Sequence, residues 1–278
     1  MTKRALKGIA LGVGAAIAAG GAWFASLEPR VDRTWIPEQA VLAEAQIDRG
    51  VAKIHNIRDF TYSARKEFTV RYADRTYDLD KLTSVWYVLT PFNEGWRGPA
   101  HSFVSFGFAD SQFVSISVEA RREPGETYDA FTGLFRRFEL MYVIGDERDL
   151  IGQRAAFDDD RVYLYPIKAS PERMRFMFVS MLERANKLRE KPEFYNSITN
   201  NCTSNVVAHV NRIVPNAIPA GYKTMMPGYT DEVAMRLGLI DTRLDLDKAR
   251  ERFQINQRAR KHINDPQFSI RIRESSGS

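Results

Sequence analysis

A thiol, an imidazole and a carboxylate suffice for nucleophilic catalysis when a fold holds them in line, and this chain of 278 residues offers one cysteine and four histidines. Cys202 follows the run Phe194-Tyr-Asn-Ser-Ile-Thr-Asn-Asn and opens a stretch of helical periodicity, Val206, Val207, Val210, Ile213 and Val214, that Pro215 ends. A thiol in the first turn of a helix faces unpaired backbone N–H groups and the positive end of the helix dipole, both of which favour the thiolate. It still needs a base. His209 lies seven residues on, about 10 Å along the axis at ~1.5 Å per residue, too far for a hydrogen bond. His262 belongs to a polar C-terminal stretch and His55 to a short segment with no evident acid beside it, which leaves His101.

His101 begins the best-defined local structure in the sequence. His101-Ser-Phe-Val-Ser-Phe-Gly-Phe108 and Gln112-Phe-Val-Ser-Ile-Ser-Val-Glu119 both alternate in polarity and are separated by Ala109-Asp110-Ser111, a short hairpin loop. If Phe108 pairs with Gln112, Val104 faces Ile116 and Phe106 faces Val114 on one side of the ribbon, while His101 faces Glu119 on the other at a Cβ separation of ~5 Å. A two-residue loop would pair His101 with Ala120 instead. The constellation then reads Cys202 as nucleophile, His101 as base and Glu119 as the group that fixes the imidazole tautomer. Backbone N–H groups, with Asn201, Asn200 and Arg121 as candidate side chains, would steady an oxyanion or the substrate. Structural readings compete at each position: a buried Cys acting as a small hydrophobe, a strand His in the core, Glu119 paired with Arg121 or Arg122, and Asn200-Asn201 as a helix cap.

The elements that must position these groups read as α+β, with a central antiparallel sheet and packed helices. Residues 28–53 look like a linker helix and 54–241 like the domain. Within it, strands are expected at Asp59 to Tyr62, Phe68 to Tyr72, Val85 to Leu89, Phe138 to Ile144 and Val162 to Tyr165, with a loop from Pro91 to Pro99. A helix runs from Pro171 to about Glu190, another follows Cys202, a short one spans Thr230 to Leu237, and residues 242–278 read as a charged helical tail. Phe131, Phe135, Phe138 and the Met225-Met226 pair are expected to pack the core or to line an acyl-chain groove. The acidic run Asp158 to Asp160 lacks the alternating ligands and glycine of a calcium loop, so neither a metal site nor a cofactor is expected. A net charge of +5 with interspersed signs, and no zinc-finger or ribonucleoprotein motif, argues against a nucleic-acid partner.

Residues 1–7 form a basic stub, with Lys3, Arg4 and Lys7, ahead of an uncharged stretch over 8–27. As a helix that stretch is about 30 Å long, one hydrocarbon core, and the charge asymmetry places the N-terminus in the cytoplasm and the remainder outside. A signal peptide cleaved near Ala18-Ala19-Gly20 is the alternative, although the apolar run continues through Trp23 and Phe24. Cys202 would then sit in an oxidising compartment with no intramolecular partner.

Four motifs in order, His101-Ser-Phe-Val-Ser-Phe-Gly-Phe, Ser115-Ile-Ser-Val-Glu-Ala-Arg-Arg-Glu, Tyr142-Val-Ile-Gly-Asp-Glu-Arg-Asp-Leu and Tyr195-Asn-Ser-Ile-Thr-Asn-Asn-Cys-Thr, resemble the Lnb N-terminal periplasmic domain family over about Ile54 to Asp241. The resemblance implies a permuted papain-like (NlpC-like) thiol enzyme in which a strand His precedes a helix-start Cys, as His101 precedes Cys202. It further implies a thioester at Cys202 that passes a fatty acyl group to the amine of a lipoprotein's N-terminal cysteine, with phospholipid or lipoprotein as the acyl substrate; with the N-terminal span, the expectation is a bacterial inner-membrane protein, single-pass with its domain in the periplasm. The family's namesake carries membrane helices after this domain, where this chain has its charged stretch. An envelope amidase or peptidase with the same dyad, and a non-enzymatic scaffold, are the other readings.

Overall fold

The computed structural model describes residues 3–92, 98–158 and 160–274. Most of the expected Pro91 to Pro99 loop, Asp159 of the acidic run and the last four residues lie outside them. An apolar helix, α1 (Lys3–Ser26), precedes a run of strands: β1 (Glu44–Asp48), β2 (Val51–Arg58), β3 (Thr61–Ala64), β4 (Glu67–Thr69), β5 (Tyr72–Asp78), β6 (Leu82–Pro91), β7 (Ala100–Phe108), β8 (Phe113–Arg121), β9 (Glu139–Gly145) and β10 (Tyr163–Pro166). The helices that follow are α2 (Pro171–Glu190), α3 (Cys202–Ile213), α4 (Tyr222–Met225), α5 (Thr230–Arg236), α6 (Leu246–Phe253), α7 (Asn256–His262) and α8 (Phe268–Arg271). Among the described residues the strands other than β3 and β4 form one mixed but mostly antiparallel sheet, ordered β1-β2-β9-β8-β7-β6-β10 with β5 also on β2. The architecture is therefore α+β, as expected.

Every residue of β7, an interior strand, is buried, because both faces of the sheet are covered. Val104, Phe106 and Phe108 point into one core with Phe178 and Met181 of α2 and Val206 of α3. Phe103 points the other way, into a second core built with Leu150, Ile151, Ile255, Ala259 and Phe268. The β7–β8 hairpin has the three-residue loop read from the sequence: the Phe108 N–H donates to the Gln112 carbonyl at 2.9 Å, and Ser111 takes the left-handed conformation at φ 62° that closes such a loop. Val104 faces Ile116 and Phe106 faces Val114.

Two boundaries need correction. No linker helix forms over 28–53. Pro37 starts a single 3₁₀ turn, and from Glu44 the side chains alternate, with Ala43 and Ala45 buried and Glu44 and Gln46 turned out, so the segment joins the sheet as edge strand β1 against β2. The residues after Asp241 are helical, but they are no solvated tail. Ala249 is buried in the first core, and Ile255, Ala259, Phe268 and Ile272 are buried in the second, which they close from below. The strands expected at Val85 to Leu89, Phe138 to Ile144 and Val162 to Tyr165 form as β6, β9 and β10, whereas those expected at Asp59 to Tyr62 and Phe68 to Tyr72 are displaced, and from Tyr72 the chain runs on as β5, paired with β2.

Between β9 and β10 the chain winds as a π-helical segment, Arg148–Phe157, which ends with the Asp158 N–H on the Gln153 carbonyl at 2.9 Å. It is pinned at Asp149, fully buried, which takes a two-pronged ion pair from Arg58 at 2.9 and 2.8 Å and a hydrogen bond from the Phe60 N–H. Where the segment begins, Gly145 meets Arg58 in the one parallel pairing of the sheet. A Cβ there would stand 2.8 Å from Leu150 Cγ and 3.2 Å from the Arg58 carbonyl oxygen, so only glycine fits without a shift. From the other side α7 clamps the segment: Asn256 donates to the Ala155 and Asp160 carbonyls at 3.0 and 2.7 Å.

Candidate active site

The loop before α3 is fixed by asparagines. The Asn196 carboxamide oxygen accepts from the Ile198 and Thr199 N–H groups at 3.0 and 2.9 Å, a side-chain turn that asparagine makes well. Asn200 donates to the Phe194 carbonyl at 3.0 Å and accepts from Asn205 at 2.9 Å. Asn201 caps α3: its oxygen accepts from the Ser204 N–H at 2.8 Å, while the Ser204 hydroxyl accepts from the Asn201 N–H at 2.8 Å. Cys202 is therefore the first residue of a twelve-residue helix, and the N–H groups of Cys202 and Thr203 have no acceptor within that helix.

The hairpin delivers the imidazole to this helix end. Continued to its base, the β7–β8 register sets His101 opposite Glu119, and His101 Nε2 lies 3.1 Å from Glu119 Oε1. Ser117, two residues before Glu119 and on the same face, stands between them. Its Oγ is 2.7 Å from His101 Nε2 and donates to Glu119 Oε1 at 2.7 Å. With Nε2 so engaged, Nδ1 is the nitrogen left to face the sulfur; His101 and Cys202 line the same cavity, close enough that each shifts the other's titration. Arg154, from the π-helical segment, reaches Glu119 Oε1 from behind at 3.4 Å.

The electrostatics favour an ion pair. Burial acts to push the Cys202 thiol up, but the His101 hydrogen bond and charge, the Ser102 backbone N–H and the Thr203 hydroxyl together bring it below its ordinary value. Burial also acts to pull the imidazole down. The Glu119 charge outweighs this, and with hydrogen bonds to the thiol and to Glu119, and against Arg154, His101 is raised to about 9. Glu119, despite the cost of its own desolvation, is held well below the usual carboxylate range by His101 and Arg154. Thiolate, imidazolium and carboxylate thus stabilise one another in sequence.

Cys202 is only 3% exposed, yet it opens on a cavity of about 170 Å³ that also touches His101, Glu119, Arg122, Tyr128, Arg154 and Tyr195. The Tyr195 phenol is pushed far up by burial and by the Cys202 charge, so it remains a neutral donor. A second cavity, about 140 Å³ and almost wholly apolar, starts one residue away. Ser102 and Thr203, whose hydroxyls are 3.1 Å apart, stand at its wall, and Tyr87, Val206, Val207 and Val210 extend it along α3.

Several expected roles shift. Asn201 and Asn200 have their carboxamides committed to the cap and the loop, and neither lines the Cys202 cavity. Arg121 is buried beneath Trp35, 4.2 Å from its ring, and donates to the Gln39 and Ala40 carbonyls at 3.0 and 2.9 Å, where it ties down the N-terminal segment. The arginines at the cavity are Arg122 and Arg154. Phe138 is core, but Phe131 and Phe135 are exposed, and the apolar groove is lined by α3 valines instead. His209 is buried between the Ser180 and Tyr142 hydroxyls at 2.7 and 3.0 Å and pulled down to about 4, first by burial, which makes it a neutral brace. His55 does have an acid beside it, Asp74 at 2.8 Å, but at the surface. Ser117 was legible as the residue one strand repeat before Glu119; Arg154, which arrives through the π-helical segment, had no sequence signal. Among the described residues no cluster of His, Cys, Asp and Glu is suited to a metal ion.

One helix of the described chain is long and apolar enough to cross a membrane, over Ile9–Ser26. A family model described as the Lnb N-terminal periplasmic domain matches residues 68–228, a span that holds His101, Ser117, Glu119 and Cys202. Searches of curated proteins and of solved structures found no match.

Proposed function

The chain belongs to the Lnb N-terminal periplasmic domain family, and on that premise we propose that it is a membrane-anchored thiol acyltransferase whose nucleophile is Cys202. The observation that carries the reading is the placement of Cys202 at the start of a helix on the same cavity as His101, whose Nε2 is held by Ser117 and Glu119. In the proposed first step the thiolate attacks an ester carbonyl of a lipid. The S–C bond forms, the carbonyl electrons move onto oxygen, and the oxyanion meets the N–H groups of Cys202 and Thr203 and the neutral Tyr195 phenol. Collapse breaks the ester C–O bond, His101 protonates the departing alcohol, and a thioester remains. An amine then attacks the thioester carbon, loses its proton to His101 and leaves as an amide, with the thiol restored.

The apolar groove beside Thr203 favours an acyl chain over a peptide, since its lining offers few groups to recognise a backbone. The strand His preceding the helix-start Cys supports a permuted papain-like order. The basic residues ahead of α1 support a cytoplasmic N-terminus and a periplasmic domain at the bacterial inner membrane.

The test is incubation of full-length protein with a clickable fatty-acyl phospholipid. The expected result is a hydroxylamine-sensitive label that is lost in Cys202→Ser and chased by a lipoprotein-like N-terminal amine. Release of free fatty acid with no amide product would assign a hydrolase. An unlabelled Cys202, with C202S cells indistinguishable from the parent, would leave only a scaffold.

A further inference from the structure

The sheet has two ends, and the chemistry sits at one of them. His101 at the start of β7, Glu119 near the end of β8 and Glu139 at the start of β9 share that end, whereas the β7–β8 loop at Ala109 marks the other, about 25–30 Å away at ~3.3 Å per residue. The end of α1 is tied to the first of these. Glu139 accepts from the Arg30 N–H at 3.2 Å and pairs with Arg33 at 3.4 Å. Arg136 donates to the Phe24, Ala25 and Leu27 carbonyls at 3.0, 3.3 and 3.2 Å and lies 4.9 Å over the Phe24 ring.

Those carbonyls are the last of the apolar span, so Arg136 marks the level at which the helix leaves the hydrocarbon. Phe135, its neighbour in sequence, and Phe131 meet edge to face at 5.0 Å with 51% and 68% of their surfaces exposed. Trp23, 66% exposed on the last turns of α1, stands at the same level. The turn that carries the two phenylalanines is braced to the loop before Cys202: the Ser197 N–H donates to the Gly133 carbonyl at 3.2 Å and Asn196 donates to the Leu134 carbonyl at 3.4 Å. From that loop Ile198 also projects, 46% exposed. Aromatics this exposed, set beside the end of a membrane span, have the lipid interface as their natural surroundings.

We propose that the Phe131–Phe135 turn and Ile198 form a membrane-seated face that enters the bilayer interface and holds the Cys202 loop against it. The substrate would then reach the thiol from the lipid without leaving it. The proposal depends on α1 crossing the bilayer and is independent of the chemistry at Cys202.

The test uses full-length protein in vesicles containing shallow brominated phospholipid, which quenches nearby tryptophan. Phe131→Trp should add emission that is strongly quenched, and Ala109→Trp, at the far end of the sheet, should add emission that is not. Equal quenching of the two added signals, or none at position 131, would overturn the face. Because the readout involves no thioester, a protein that fails to label at Cys202 but shows the quenching contrast would lose the proposed activity and keep the face, and the converse result would separate them equally.

Discussion

Cys202 and His101 lie far apart in the sequence, and each has its titration shifted by the other. With the imidazole raised to about 9 and the thiol lowered from its ordinary value, the two shifts both lean toward thiolate and imidazolium. Alkylation of the parent should therefore rise with pH through a midpoint below that of a free thiol (~8.5). In His101→Ala the midpoint should move upward, because the burial that opposes the thiolate is then uncompensated. An unchanged profile would remove His101 from the site. Stability carries two opposing slopes. His101, raised above its ordinary 6.5, contributes fully below about 6.5 and loses that contribution as pH climbs through about 9; Cys202, lowered from 9, contributes above its ordinary value and loses that contribution as pH falls. Denaturant titrations should thus show Cys202→Ser losing stability with rising pH more steeply than the parent over 6.5–9. Adding Glu119→Gln should flatten that slope.

At the scale of elements, the sequence made the hairpin and the two long helices readable because local rules decide them: strict alternation around a three-residue loop, Ser170-Pro171 at the start of α2, and an asparagine cap before α3. It hid β1, whose alternation is written largely in alanine, and the π-helical segment, whose winding is set by a buried ion pair with Arg58 ninety-one residues away. Asn201 shows how a chemical and a structural role can share one residue type. As a cap, Asn201→Ala should cost about 1 kcal/mol in chemical denaturation and leave turnover per folded molecule largely intact. A large fall in kcat with no change in stability would return Asn201 to the oxyanion.

The whole molecule is closed by residues that composition marks as surface. Helices α6 to α8 are dense in arginine, yet Ile255, Ala259, Phe268 and Ile272 lie beneath the sheet, and full burial of a side chain the size of Phe268 or Ile272 is worth about 1.5–3 kcal/mol. Charge in the sequence concealed the underside of those helices because their apolar residues are few and widely spaced. A chain ending at Asp241 should consequently fail to give a cooperative unfolding transition, where a solvated tail would be removed at no cost. On the proposed periplasmic placement the same closure orders events during export. Residues delivered across a membrane in chain order bring Cys202 out before Asn256, and without Asn256 the segment bearing Arg154 is unclamped from below. The surroundings of the proposed nucleophile would thus be completed only once the last helices have arrived.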